Sequence, residues 1–333
     1  MVRDAMTELD SIESMLDEQR RFPPPEPIAS EAHITDLDEY QSMWRRSIAD
    51  PAGFWGEIAE EFEWYRKWDE VASWDFVDAQ IKWFEGAQLN VSVNCLDRHI
   101  AAGRAGEPAI SFEADDGEMS TYSFSEVLEQ VCRLGNLLRV NGVTKGDRVT
   151  VYMPMIPELA FTLLACARIG AIHSVVFGGF SADSLAQRIV DCTSDVLVTT
   201  DAGIRGGKLV PLKSTGDAAI ELAAEQGVNV RCVIVNHRAG DGIGEGSPGW
   251  VAGRDVDMEE GMAAQGTTCE PEIMEAEDPL FILYTSGSTG KPKGVLHTQA
   301  GYMVYAATTC KYVFDLRPGR DLHFCTAYIG WVT

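Results

Sequence analysis

The sequence reads Tyr284-Thr-Ser-Gly-Ser-Thr-Gly-Lys-Pro-Lys-Gly-Val-Leu-His-Thr298, directly after the apolar segment Pro279-Leu-Phe-Ile-Leu-Tyr284. This stretch holds three glycines, five Ser or Thr hydroxyls and two lysines. Glycine lets backbone N–H groups turn toward an anion, and the hydroxyl and ammonium groups add further donors. A strand that runs straight into such a set predicts a loop that binds polyphosphate, in preference to a merely polar surface loop.

This loop differs from the common P-loop, G-x-x-x-x-G-K-[ST]. The P-loop needs a glycine where Thr285 stands, and it needs Ser or Thr where Pro292 follows Lys291. A kinase or another P-loop nucleotidase is therefore a disfavoured alternative.

Strands and helices are predicted to alternate through the middle of the chain. Ser123-Phe-Ser-Glu126 forms a capping box that opens a helix, and Asn141-Gly142 closes it. The pattern then predicts strands at 148–153, 171–177, 195–200 and 228–235, and helices at 157–169, 181–190 and 212–225. Repeated units of this length predict an α/β fold with a largely parallel sheet between helices. Ligands bind beyond the carboxyl ends of such strands, where the loop at Thr285 also lies.

The chain before this alternating region has two parts. Residues 1–39 are acidic and include Pro23-Pro-Pro-Glu-Pro27, which predicts a disordered lead. Residues 40–100 form an aromatic-rich extension that is predicted to be helical as far as Gly86. Irregular spacing and negative charge favour packing roles for its tryptophans over the stacking of bases or sugars. These are Trp44, Trp55, Trp64, Trp68, Trp74 and Trp83.

The charge of the chain excludes one class of partner. The net charge is −24, and only eight lysines and nineteen arginines face fifty-one acidic residues. No basic face can be assembled to neutralise phosphates, so nucleic acid is not expected as a partner. Such a surface repels itself in dilute salt and is tolerated when salt screens it. We therefore hypothesise a high-salt cytoplasm, with an ordinary acidic cytosolic enzyme as the alternative.

The remaining composition also points to the cytoplasm. The eight cysteines are dispersed with no C-x-x-C pair, so neither a metal site nor a disulfide framework is predicted. The first residues are acidic and lack the apolar segment of a secretory signal. The most apolar stretch, Ala160 to Phe180, contains Arg168, His173 and three glycines. It predicts a core helix followed by a strand, and no membrane association.

The glycine-rich loop at 285–294 resembles the phosphate loop of AMP-forming acyl-adenylate enzymes. Other segments resemble the acetyl-CoA synthetase family in particular, so the resemblance runs from about Trp44 to Thr333. It identifies 40–100 as that family's N-terminal extension and 101–333 as the N-terminal part of its AMP-binding domain. The segments are Phe54 to Asn90, Asn94-Cys-Leu-Asp-Arg-His99, Tyr152-Met-Pro-Met155, Ala165-Cys-Ala-Arg-Ile-Gly170, His173-Ser-Val-Val-Phe-Gly-Gly-Phe180 and Tyr302 to Asp315.

The resemblance implies an acetate–CoA ligase, which converts acetate, ATP and CoA to acetyl-CoA, AMP and diphosphate through acetyl-AMP. It assigns no catalytic residue within this chain. Mg²⁺ is expected because the polyphosphate must be neutralised, but no metal ligand is assigned. The implied ATP phosphate loop consists of Thr285, Ser286, Gly287, Ser288, Thr289, Gly290, Lys291 and Lys293.

For CoA, the resemblance implies Arg205, Gly206, Gly207 and Lys208, which correspond to the family's Arg-x-Gly-Arg segment. That segment contacts the phosphate-bearing nucleotide end of CoA. Lys208 replaces the usual arginine, so the charge is kept and bidentate phosphate geometry is lost. The resemblance also brings Gly178 and Thr333 to the CoA site. Without it, a solvated basic turn before a helix explains residues 205–208 equally well.

The acyl pocket implied by the resemblance consists of Trp331, Val332 and Thr333. A large indole forms a wall against acids longer than acetate or propionate. The alternative is that these terminal residues fray. The chain departs from the family's Thr-Ala-Asp-x-Gly-Trp motif, because it reads Thr326-Ala-Tyr-Ile-Gly-Trp331. A phenol at Tyr328 therefore replaces a carboxylate beside the pocket.

The family is roughly twice as long as these 333 residues. Its adenine-binding motif, ribose-binding aspartate and catalytic lysine correspond to positions beyond Thr333. We therefore expect the chain to be inactive alone and consider a separately encoded C-terminal half as a partner. The alternative functions are a propionate-preferring acyl-CoA synthetase and a non-catalytic nucleotide-binding remnant.

Overall fold

The structure is a computed structural model that describes residues 22–238, 249–285 and 292–330. The chain divides into two compact units between Ala49 and Asp50. The described part of the first unit contains one helical turn, α1 (Glu26–Ala29), and a longer helix, α2 (Leu37–Ala49), and neither helix has a buried residue. The predicted disordered lead thus includes the turn α1, while residues 1–21 lie outside the described residues.

The second unit opens with a helix and then a hairpin. Helix α3 (Pro51–Ala59) begins at Asp50, whose side chain accepts a hydrogen bond from the Gly53 N–H. Antiparallel strands β1 (Glu70–Asp75) and β2 (Gln80–Glu85) follow. The prediction of helix as far as Gly86 was therefore wrong from residue 60 onward, because α3 ends at Ala59. The Asp75 carboxylate accepts bonds from the N–H groups of Val77 and Asp78, which favours a turn over a continued helix.

The prediction of packing tryptophans is confirmed for four of the six. Trp55, Trp64, Trp68 and Trp83 pack against one buried cluster that includes Phe84. The Trp64 and Trp68 ring centroids lie 5.2 Å apart in an edge-to-face arrangement, which aromatic pairs prefer. Trp44 and Trp74 are instead more than half exposed, at 55% and 52%.

Short elements connect this region to the main sheet. They are β3 (Gln88–Leu89), which pairs with β13 (Met274–Glu275), π-helical turns at Val93–Asp97 and Ile100–Arg104, and the hairpin of β4 (Pro108–Glu113) and β5 (Met119–Ser123). Helix α4 (Phe124–Val140) follows. Its predicted capping box is confirmed, because Ser123 and Glu126 exchange bonds between side chain and backbone.

The main sheet of the described chain has seven strands in the spatial order β12-β11-β8-β6-β7-β14-β15. All neighbouring strands are parallel except β14 and β15, which are antiparallel. The predicted α/β class with a largely parallel sheet is thus confirmed. The strands are β6 (Arg148–Tyr152), β7 (Ile172–Val175), β8 (Val196–Thr200), β11 (Cys232–Asn236), β12 (Asp255–Asp257), β14 (Pro279–Thr285) and β15 (Lys293–Thr298).

Helices cover both faces of this sheet. Val196 and Val198 pack with α4 on one face, while Leu197 between them packs on the other, so alternate residues of a single strand are buried on both sides. The helices are α5 (Pro157–Ile169), α6 (Ala182–Cys192), α7 (Leu212–Glu225), α8 (Met258–Ala263) and α9 (Gln299–Thr308), which continues into a π-helical turn at Thr309–Val313. No helix among the described residues is long and apolar enough to cross a membrane.

The order of the strands reverses beside β6. The chain passes from β6 to β7 on one side and then returns to β8 on the other side of β6. The connections that leave β6 and β8 therefore run in opposite directions, and these two adjacent strands form the switch point of the sheet. Ligands of doubly wound sheets bind at such a point.

Candidate functional site

The predicted phosphate loop connects two antiparallel strands. Thr285 ends β14 and is paired with Lys293, which begins β15, so the two ends of the loop are held side by side. Both residues are exposed. The other predicted residues of the loop lie outside the described residues. They are Ser286, Gly287, Ser288, Thr289, Gly290 and Lys291. A P-loop leads into a helix, whereas this stretch leads into a strand, which further disfavours a P-loop nucleotidase.

Tyr284, the residue before the loop, is anchored to helix α6. Its hydroxyl donates a 2.8 Å hydrogen bond to the Asp191 carboxylate. Burial raises the pKa of this phenol well above its ordinary value, and the nearby Cys192 thiol and Asp191 carboxylate act in the same direction. Tyr284 is therefore a neutral donor at physiological pH, and it fixes the end of β14 to the helix beside it.

The four residues Arg205 to Lys208 form the exposed tip of a hairpin, and helix α7 begins shortly after it at Leu212. Strands β9 (Gly203–Arg205) and β10 (Lys208–Val210) pair so that Arg205 lies opposite Lys208. Gly206 and Gly207 have φ values of 55° and 71°. A two-residue turn with both φ values positive favours glycine, which explains the two glycines between the cations. Arg205 and Lys208 are both exposed at this tip.

Two further contacts hold the hairpin tip, and neither was predicted. The Gly206 N–H donates a 3.0 Å bond to the carboxylate of Asp115, which lies in the β4–β5 turn. The Arg205 guanidinium lies over the ring of Phe177, 5.9 Å from its centroid. Phe177 lies in the segment 173–180 that carries the family resemblance, so a sequence motif pointed to it. No motif of the sequence pointed to Asp115.

Gly178 lies where two backbone segments approach closely. A Cβ atom at this position would lie 3.2 Å from the Met153 carbonyl oxygen and 3.6 Å from the Leu212 side chain. A side chain would therefore force the turn after β7 away from the end of β6. The turn is also held by the Tyr152 hydroxyl, which donates a 2.8 Å bond to the Phe180 carbonyl oxygen. Gly178 thus allows this close packing of the turn against β6. Because it has no side chain, it offers only its backbone for binding.

Tyr328 lies against the carboxyl ends of β6 and β7. Its hydroxyl shares one hydrogen between the Val176 and Met153 carbonyl oxygens, which lie 2.9 and 3.0 Å away. These carbonyls directly follow β7 and β6. The Tyr328 ring also meets Phe177 edge to face, with centroids 4.6 Å apart. Burial raises the pKa of this phenol, which keeps it a hydrogen-bond donor. The predicted pocket residues Trp331, Val332 and Thr333 lie outside the described residues.

A row of rings and guanidinium groups joins the two predicted anion sites. Arg205 lies over Phe177, whose ring centroid is 5.6 Å from that of Phe180. Arg188 lies between the rings of Phe180 and Tyr284, and Tyr284 precedes the phosphate loop. The carboxyl edge of the sheet thereby brings together Gly178, the two ends of the phosphate loop, and the hairpin tip with Arg205 and Lys208, which is called the dibasic hairpin. Sequence reasoning missed Arg188, because nothing in its helix distinguishes it from a surface arginine.

No protein site for a metal is evident in the described segments. Within residues 22–238, 249–285 and 292–330, no three His, Cys, Asp or Glu side chains come together as metal ligands do. Mg²⁺ commonly binds through substrate phosphates and only one or two carboxylates. Such binding would not require a larger cluster of protein ligands.

Comparison with known families gives two matches along the chain. The family described as AMP-binding enzyme matches residues 97–333. The family described as acetyl-coenzyme A synthetase N-terminus matches residues 40–95. The two matched regions follow one another in the order that the sequence resemblance predicts.

Similar proteins include several named acetyl-coenzyme A synthetase. The one from Rhizobium rhizogenes is 50% identical over 317 residues, which is 95% of this chain and 47% of the relative. The one from Halorhodospira halophila is 47% identical over 320 residues, which is 96% of this chain and 48% of the relative. Among solved structures, acetoacetyl-CoA synthetase from Streptomyces lividans aligns with a TM-score of 0.76 and 30% identity, over 86% of this chain and 42% of that chain. The chain thus spans about half the length of the curated relatives it matches.

Proposed function

Because the chain belongs to the AMP-binding enzyme family, we propose that it carries the ATP and CoA sites of an AMP-forming acetate–CoA ligase. In the proposed reaction, the carboxylate of acetate attacks the α-phosphate of ATP and expels diphosphate. The thiol of CoA then attacks the acyl carbon of acetyl-AMP, forms the thioester and releases AMP. The products are acetyl-CoA, AMP and diphosphate.

One observation carries this proposal most directly. The ends of the glycine-rich loop and the dibasic hairpin both follow strands of one sheet at its carboxyl edge. ATP and CoA each present phosphate groups, and the reaction needs both in one site. A sheet whose strand order reverses beside β6 supports such a site.

The loop at 285–291, together with Lys293, holds the β- and γ-phosphates of ATP in this proposal. Charge grows on these phosphates as diphosphate leaves, and backbone N–H groups with two ammonium groups stabilise it. Mg²⁺ enters with ATP and neutralises part of the same charge. The residues in this role are Thr285, Ser286, Gly287, Ser288, Thr289, Gly290, Lys291 and Lys293.

CoA is bound by the hairpin tip in this proposal. Arg205 and Lys208 attract its phosphates, and Gly206 and Gly207 keep the backbone accessible between them. Gly178 allows the close approach of the neighbouring turn, and Thr333 lies where the acyl and CoA groups meet. The Asp115 carboxylate accepts from the Gly206 N–H and so fixes the tip.

Trp331, Val332 and Thr333 form the acyl pocket in this proposal, with the indole limiting the acid to acetate or propionate. We assign residues 40–100 to an N-terminal extension and residues 101–333 to the AMP-binding domain.

Dispersed cysteines support a reducing cytoplasm as the location of the protein. A separately encoded polypeptide that supplies the remaining functions of the relatives is a proposed partner.

Binding and catalysis are tested separately. Calorimetric titration of the chain with ATP and with CoA tests the two sites. Acetate-dependent exchange between ATP and diphosphate is then measured in a chimera, in which this chain is followed by the remaining residues of the Rhizobium rhizogenes relative. Replacing both Lys291 and Lys293 by Ala should abolish ATP binding and exchange, whereas Lys82→Ala, at an exposed pair with Glu85, should preserve both.

Two results of these assays contradict parts of the proposal. Unchanged exchange in the double lysine variant would refute the role of the phosphate loop. Faster turnover with propionate than with acetate would assign the alternative substrate preference.

A further inference from the structure

Arg188 is a buried cation that has no acidic partner among the described residues. Its residue is only 8% exposed, yet it forms none of the ion pairs found in the described segments. Its one hydrogen bond there runs from Nη1 to the Ser184 carbonyl oxygen, which belongs to the preceding turn of the same helix. Arg168, the other buried arginine among the described residues, is paired with Asp97.

The Arg188 guanidinium is held between two aromatic rings. It lies 4.7 Å from the Phe180 centroid and 5.4 Å from the Tyr284 centroid. Tyr284 is itself fixed by its hydrogen bond to Asp191. Aromatic faces attract a guanidinium but satisfy none of its N–H donors. The rings therefore orient the group and leave donors available.

An unpaired buried guanidinium is costly unless a ligand compensates it. Burial lowers the pKa of Arg188 from its ordinary value, which reflects the same cost. No nitrogen of Arg188 is both sealed from solvent and without a partner, so the unbonded donors can still be reached. A fixed and accessible fork of donors with no acidic partner among the described residues is suited to an anion.

The position of Arg188 favours phosphate as that anion. Tyr284 directly precedes Thr285, the first residue of the loop that is proposed to hold the nucleotide's polyphosphate. Phe180, the other ring that the guanidinium contacts, lies in the turn that follows β7 and includes Gly178. A planar guanidinium matches phosphate oxygens in a bidentate geometry.

We propose that Arg188 is an anion-binding residue whose guanidinium donates hydrogen bonds to the polyphosphate of ATP, beside the loop that begins at Thr285. The inference rests on the proposed function, because it needs a nucleotide at this edge of the sheet. It adds a binding group from helix α6 to those proposed for the loop. The phosphates of CoA are the other source of the same chemistry.

The test compares diphosphate, ATP and CoA as titrants of the purified chain, measured by calorimetry. Arg188→Gln removes the charge, and Arg188→Lys keeps the charge without the planar fork. Arg133→Gln is the control, because Arg133 is a helical arginine that is partly buried and paired with Glu129. Thermal unfolding with and without diphosphate is followed for every variant.

Arg188→Gln should weaken the binding of diphosphate and ATP by roughly 10-fold or more, with Arg188→Lys intermediate and Arg133→Gln unchanged. The rise in melting temperature that diphosphate produces should shrink in Arg188→Gln, whatever the melting temperature of the free variant. CoA affinity should change little.

Three results would overturn the inference. Equal affinity for diphosphate in Arg188→Gln and the unsubstituted chain would show that Arg188 only braces the two rings, and the proposed function would stand. Loss of CoA binding with ATP binding intact would contradict the assignment to ATP. If the unsubstituted chain binds neither ATP nor diphosphate, the proposed function falls and this inference with it.

Discussion

The Tyr328 hydroxyl lies 2.9 Å from the Val176 carbonyl oxygen, so a residue near the end of the described chain is held at the carboxyl end of β7, a strand far earlier in the sequence. The same hydroxyl reaches the Met153 carbonyl oxygen at the end of β6. In the family that the sequence resembles, an aspartate occupies this position. A carboxylate placed here would face two carbonyl acceptors with no hydrogen to offer.

Tyr328→Phe should lower the free energy of unfolding by about 1 kcal/mol, because it removes one partly buried hydrogen bond and keeps the ring against Phe177. Tyr328→Asp should cost more than Tyr328→Phe, since it removes the ring and turns a charge toward two carbonyl oxygens. Urea unfolding near neutral pH measures both. Tyr305→Phe, at a side chain that is 64% exposed, is the control and should change little. A more stable Asp variant would contradict the geometry described here.

Stability should fall as the pH drops below the ordinary pKa of histidine. Burial lowers the pKa of His173 in the folded chain from 6.5 to about 3, and its Nδ1 has no partner in the described structure. Below about pH 6.5 the His173 imidazole is therefore protonated in the unfolded chain but stays neutral in the folded chain. Stability is kept above this pH and lost between about 6.5 and 3. His99, whose pKa burial lowers to about 4, contributes in the same direction.

Urea unfolding at several pH values across that window measures the loss. His173→Phe keeps an aromatic ring stacked on Phe281 and should flatten the dependence on pH, whereas His323→Gln, at an exposed site, should leave it unchanged. The same slope in His173→Phe and the unsubstituted chain would contradict this assignment.

Lys213→Met should strongly destabilise the fold. The Lys213 ammonium is almost fully buried and bonds to Asp217 and Asp255 at 2.8 Å and to the Gly249 carbonyl oxygen at 2.9 Å. Removing it leaves two carboxylates with Arg254 as their remaining cation, and breaking such a buried pair costs about 3–5 kcal/mol. Urea unfolding measures this loss. Lys145→Met, at a more exposed pair with Asp278, should cost much less.

Local signals predicted the regular elements of the sheet well. The capping box at Ser123, the proline at the start of α5 and the serine before α6 all mark helix starts that the structure confirms. The hairpin β1–β2 was missed because its strands are stabilised by packing against α3 and α9, which no local pattern reveals. The contacts of Arg188 and Tyr328 join residues distant in sequence, so they required the fold.

Salt should stabilise this chain. With a net charge of −24, the folded surface repels itself, and screening lengths shrink from about 10 Å at 0.1 M salt to about 3 Å at 1 M. We expect the melting temperature to rise between about 0.1 M and about 1 M KCl. Equal melting temperatures at the two concentrations would contradict the hypothesis of a high-salt cytoplasm. Sucrose at matched osmolality is the control, because it adds no screening ions.

Lys208→Arg should increase the affinity for CoA. Lys208 lies opposite Arg205 at the exposed hairpin tip, where a second guanidinium can bind phosphate oxygens in a bidentate geometry that an ammonium cannot offer. Calorimetric titration should show tighter binding of CoA, and the gain should vanish with dephospho-CoA, which lacks the ribose 3′-phosphate of the nucleotide. Lys82→Arg, at the exposed pair with Glu85, should leave both affinities unchanged. An equal gain for CoA and dephospho-CoA would show that the hairpin tip does not bind that phosphate.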